Sequence, residues 1–115
     1  MSPTDGAWRF TLTNSYGTTP LHLLHNGKIS FNGVDVGGSW SRCQGPMADH
    51  LVLHWNYRGD EDNKKYSIYR LVEGSSGCWR RVDSGSRGEV LCEIIAQPTA
   101  TFDHRYWMVR VPGAD

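Results

Sequence analysis

The chain has 115 residues, 12 Lys+Arg against 12 Asp+Glu and a pI near 7.0. That length suits one domain spanning 1–115, and zero net charge argues against a nucleic-acid binder, which normally carries a basic face. No apolar run approaches the roughly 20 residues of a membrane-spanning helix, the opening Met1-Ser-Pro-Thr-Asp-Gly lacks a signal peptide's basic and apolar regions, and three cysteines cannot all pair within the chain. Free thiols, no membrane contact and a cytoplasmic location are therefore expected.

Glycines punctuate the sequence at short intervals, and β-branched and aromatic residues alternate with period two between them. Strands are expected near 7–13, 20–26, 28–32, 38–43, 49–57, 64–72, 78–83, 89–96 and 104–111. Asn26-Gly27 reads as a two-residue hairpin turn with positive φ at both positions. Polar, glycine-bearing stretches at 58–63, 73–77 and 83–88 read as loops. No connection has room for a crossover helix, so neighbouring strands should pair antiparallel. The expected fold class is all-β, an antiparallel meander of eight or nine strands.

Gly-x-Trp occurs at Gly6-Ala7-Trp8, Gly38-Ser39-Trp40 and Gly77-Cys78-Trp79. Each copy leads into two further strands, and three such units would have to share one core. A trefoil needs four strands per unit, so a closed or nearly closed barrel fits better; closure also removes exposed edges. Gly6-Ala7-Trp8-Arg9-Phe10 resembles the start of the first strand in lipocalins and avidins, the calycin-like barrels, and the meander is similar in length to that of avidin. A fainter likeness, at Gly38-Ser39-Trp40 and Leu51-Val52-Leu53-His54-Trp55, is to small Trp-containing β modules found beside glycosyltransferases. The first resemblance implies a barrel that encloses a small apolar ligand.

Alternation places Trp8, Phe10 and Leu12 on one face of the first strand, and Leu51, Leu53 and Trp55 on one face of the fifth. In the last strand it makes Trp107, Val109 and Val111 the natural core. Val52 between two histidines, with Cys92 and Ile94 opposite Leu91 and Ile95, marks strands apolar on both sides, whose outer face needs a cover. A homodimer would supply one.

Five tryptophans offer flat apolar faces with an N–H donor, the chemistry of stacking on a sugar ring. Trp40 and Trp79, with polar neighbours, are the surface candidates; the competing role for repeated tryptophans is to plug a barrel. Arg81, in the basic group Arg80, Arg81 and Arg87, could fork onto an anionic ligand, against a solvated strand edge as the alternative. His50 and His54 lie about 13 Å apart along a strand, too far to share a metal. Cys43, Cys78 and Cys92 lack zinc spacing, and no nucleophile elbow, phosphate loop or dinucleotide fingerprint is present. Asp60-Glu61-Asp62-Asn63 lacks the alternation of a calcium loop.

Three functions compete. The leading expectation is a non-catalytic module binding a small molecule or glycan through Trp40, Trp79, Arg81, His54 and Trp55, without cofactor or metal. The second is the barrel that encloses a small apolar ligand. The third is a barrel cyclase or isomerase with an acid or base among His54, Glu93 and Tyr69. A filled core with exposed tryptophans favours the first, and converging ionisable groups inside favour the third.

Overall fold

The computed structural model describes residues 8–14, 17–56, 64–86 and 106–111, with the side chains at 14, 35–37, 56 and 64 set aside. The strands are β1 (Trp8–Asn14), β2 (Gly17–Leu23), β3 (Lys28–Phe31), β4 (Val34–Arg42), β5 (His50–Asn56), β6 (Lys64–Leu71), β7 (Cys78–Gly85) and β8 (Trp107–Arg110). Each pairs antiparallel with its neighbour in sequence, and β8 returns to pair with β1, so the meander closes into an eight-stranded barrel. The expected strand at 89–96 lies outside the described residues. Among those described, no helix is long and apolar enough to cross a membrane.

Two turns differ from expectation for a stereochemical reason. Between β2 and β3 only Gly27 has positive φ, and the chain turns through Leu24–Gly27, with the Leu24 N–H donating to the Lys28 carbonyl and the Gly27 N–H to the Leu24 carbonyl. The two-residue turn sits instead at Asn32-Gly33, where φ is 52° and 81° and Phe31 faces Val34. That conformation suits the strand twist and favours Asn-Gly. It lets β4 begin at Val34 rather than at Gly38.

The inner face is filled from every strand. Phe10, Leu21, Leu23, Ile29, Leu51, Leu53, Tyr69, Trp79 and Met108 form one buried cluster, with Trp8, Leu12, Phe31, Trp40, Trp55 and Leu71 packed against it. The faces expected for β1 and β5 are those observed. In β8 the phase is reversed: Met108 is buried opposite Trp79 and Leu12, while Val109 is 43% exposed. A one-residue change of register exchanges the two faces of a strand, and here both faces are apolar enough to be chosen. Pairing decides the phase, because Arg110 falls opposite Phe10 and lays its guanidinium over Trp8.

A second layer covers part of the outside. Cys43, Met47, Val52, Tyr66 and Ile68 are buried together, with Val82 packed against them. Val82 reaches this cluster through a bulge, since Ile68 pairs with Asp83 but Tyr69 with Arg81. The outer apolar residue of β5, Val52, is thus buried within one chain, while Cys92 and Ile94, the other residues that suggested a covered outer face, lie outside the described residues. Cys43 is disulfide-bonded and Cys78 is free; Cys92 lies outside the described residues. The expectation of free thiols throughout is corrected, and the cytoplasmic location loses that support.

His50 lies on the same outer side, fully buried. Its ring Nδ1 is 2.8 Å from Asp49 Oδ1, and Arg70 Nε donates to Asp49 Oδ2 at 3.0 Å. Burial alone would raise the Asp49 pKa, but the hydrogen bonds to Arg70 and His50 outweigh it and hold the carboxyl below its ordinary value of 3.8.

Candidate functional site

The two ends of the barrel are built differently. One end gathers the start of β1, the end of β4, the start of β7 and the end of β8. There the three Gly-x-Trp tryptophans converge. The Trp8 ring centroid lies 6.0 Å from that of Trp40 and 6.2 Å from that of Trp79, in tilted arrangements. Two guanidiniums cap them: Arg42 at 5.1 Å from the Trp8 centroid and 6.0 Å from that of Trp79, and Arg110 at 4.8 Å from Trp8. Cation–π attraction lets a charged residue close an apolar end while its polar edge stays wet. The Trp40 indole N–H donates to the Leu24 carbonyl at 2.7 Å.

This geometry corrects the placement of Trp79, which is 3% exposed and belongs to the core rather than the surface. Trp40 is half-buried, with its donor already engaged inside the chain. The repeat is therefore the sequence trace of a plug: each copy sends one indole to the same end. Polar neighbours made both residues look exposed, yet in a strand those neighbours occupy the opposite face.

The other end is reached along the same inner face. Trp55 of β5 stands opposite Lys65 of β6, and Leu53 opposite Ser67. Ser67 is buried within the apolar interior, and Ser84 of β7 lies opposite it. Deeper on β7, Arg81 pairs with Tyr69 and shares the face of Trp79, two residues away. Its guanidinium lies 3.5 Å from the centroid of the Tyr106 ring, just ahead of β8. Lys65 Nζ donates to Ser86 Oγ. Val34, opposite Phe31, is exposed at the rim.

Of the five residues expected to share a site, only Trp40 and Trp79 are seen to meet, both against Trp8. Arg81 and Trp55 lie elsewhere on the inner face, and Trp40 and Trp79 form the plug. His54 pairs with Ser39 and Tyr66 on the outside of β5, so it is corrected to an outer-face residue. The basic group separates as well: Arg80 points outward, over the Trp107 ring at 5.6 Å, Arg81 points inward, and Arg87 lies outside the described residues. Of the acid–base candidates, Tyr69 is part of the buried core and Glu93 lies outside the described residues. Sequence reading missed Lys65, Ser67 and Tyr106. The alternation Lys65-Ser67-Tyr69 on β6 was the available signal, because a strand expected to bury Tyr69 carries two polar residues on the same face.

No described inner-face residue is a His, Asp or Glu; of the described carboxylates, Asp49 and Asp83 serve outer-face partners, Arg70 with His50 and Tyr66 respectively, and Glu73 lies exposed in the turn after β6. Comparison of the chain with protein families, curated proteins and solved structures returns no match.

Proposed function

We propose that this protein is a non-catalytic barrel that binds a small molecule at the end opposite its tryptophan plug. The asymmetry of the inner face carries the reading. An eight-stranded barrel has an interior that side chains fill or that holds one small ligand. At the plug end that interior is taken up by indoles and aliphatic groups in contact. Away from the plug the same face presents Lys65 beside Trp55, then Ser67, and nearer the plug Arg81 against Tyr106, the mixture of aromatic walls and few polar groups that small-molecule sites use. The glycan reading through Trp40 and Trp79 has less support, since one ring is buried and the other has its N–H engaged. The inner face offers no described carboxylate or imidazole for acid–base work, which favours binding over catalysis.

The test is a thermal-shift screen of small molecules and glycans on the full chain, followed by titration of any hit into Trp55→Ala and Trp40→Ala. Binding lost with Trp55 and retained with Trp40 is expected. Binding that survives loss of Trp55 but not of Trp40 would return the site to the plug end.

A further inference from the structure

We infer that the disulfide at Cys43 is a redox-responsive site, poised for reduction by a dithiol because His50 accepts the hydrogen that reduction places on the Cys43 sulfur. The site is separate from the ligand reading, since His50 and Trp55 lie on opposite faces of β5. An orphaned atom carries the inference. His50 is fully buried, and its Nε2 has no hydrogen-bond partner. The ring's other nitrogen decides what Nε2 offers. Asp49, a carboxylate held by Arg70, can only accept, so Nδ1 carries the hydrogen of their 2.8 Å contact. The neutral ring therefore turns a lone pair, and no donor, into the protein. A buried acceptor without a donor costs free energy that a donor placed beside it would recover.

Register sets Cys43 where that donor is needed. The pairing of β4 with β5 continues one residue past Arg42 and Leu51, with the Cys43 N–H donating to the His50 carbonyl at 3.1 Å. Residues opposed in this way point to one side of the sheet, their Cβ atoms about 5 Å apart. Both side chains are buried on that outer side. Met47 and Val52, buried in the same layer, bring no donor. Oxidised, the Cys43 sulfur has no hydrogen to give either. In reduction a dithiol gives up two electrons and two protons, the S–S bond breaks, and two protein thiols form while the reagent becomes a disulfide. The Cys43 S–H can then donate to Nε2, so the orphan is satisfied only in the reduced chain. An interaction that stabilises only the reduced form makes a disulfide easier to reduce, whereas structural disulfides resist reduction. Asp49 and Arg70 are positioning residues, because they fix the tautomer of the ring.

The experiment equilibrates the full folded chain with mixtures of reduced and oxidised dithiothreitol, alkylates the thiols in denaturant and counts them by mass. Reduction takes the chain from one alkylated cysteine to three. His50→Phe should need a ratio of reduced to oxidised reagent about tenfold higher for half reduction, a shift of about 30 mV, because one buried hydrogen bond is lost from the reduced form alone. A merely structural role for His50 would weaken both redox forms alike and leave this ratio unmoved. Should His50→Phe fail to fold, Asp49→Asn decides. There Arg70 holds the amide oxygen, the amide nitrogen donates to Nδ1, and the ring hydrogen moves to Nε2, so the same rise is expected. An unchanged ratio in whichever variant folds would overturn the inference. So would a wild-type disulfide that dithiothreitol leaves intact in the folded chain.

Discussion

Replacing Trp79 with alanine removes the most buried member of the plug. The ring is 3% exposed, touches Trp8 at 6.2 Å between centroids and lies under Arg42 at 6.0 Å. Truncating a core tryptophan typically costs about 3–5 kcal/mol. Of that, the aromatic pair accounts for about 1 kcal/mol and the cation–π contact for a further 0.5 kcal/mol or so. In a domain of this size each kcal/mol lowers the melting temperature by about 4 °C, so Trp79→Ala should melt roughly 12–20 °C below the wild type. Trp107→Ala is the control: that ring is half-buried on the outer face with Arg80 as its cation partner, and its loss should cost about 1 kcal/mol, or about 4 °C. Far-UV circular dichroism melts of the two variants side by side give the comparison. Melting temperatures within about 3 °C of each other would refute the plug, because an inward-facing ring and an outward-facing one cannot cost the same.

Three further outcomes follow from other parts of the barrel. Gly38→Ala should destabilise by on the order of 3 kcal/mol in urea titration, since an added Cβ would collide with the backbone carbonyl of His54 and crowd Trp55 Cα, neither of which can swing aside. Thiol titration under denaturing, non-reducing conditions should find one reactive thiol per chain, because Cys78 is free and the disulfide at Cys43 uses two of the three cysteines. Asp49 has a folded-state pKa depressed below 3.8, so its contribution to stability is present above that value and is lost as pH falls through the lower folded value. Denaturation midpoints measured downward from pH 5 should therefore fall more steeply in the wild type than in Asp49→Asn, and parallel curves would contradict the Arg70 and His50 contacts as the cause.

Much of the barrel was legible in the residues. Trp8-x-Phe10-x-Leu12 and Leu51-x-Leu53-x-Trp55 alternate cleanly, and each strand buries the face that the pattern names. β8 was ambiguous because Tyr106-Met108 and Trp107-Val109 are comparable in bulk, and only pairing with β1 and β7 selects Met108. The plug was half visible: the repeat announced three equivalent tryptophans, but convergence at one end depends on closure, a property of the whole sheet. Strand periodicity already put His54 opposite Trp55, and grouping the two in one site set that parity aside. The disulfide at Cys43 was hidden because pairing depends on distance in the fold, and cysteine spacing along the chain carries no record of it.

The seam between β1 and β8 has a consequence for how the chain reaches this state. Phe10 pairs with Arg110, and the Val111 N–H donates to the Arg9 carbonyl, so the closing contacts join residues about 100 positions apart. Of the seven other strand pairs, six join strands separated by seven residues or fewer, and only β7 and β8 are linked by a longer stretch, residues 86–106. Until the seam forms, β1 and β8 are both open edges, each able to pair with a strand from another molecule. Closure should come late and slowly, as expected for a topology dominated by one distant pairing. The same seam brings the start of β1 beside the end of β8. A circularly permuted chain that joins them covalently and opens instead at the Glu73-Gly74 turn would convert the slowest contact into a local one, and would fold faster to the same barrel.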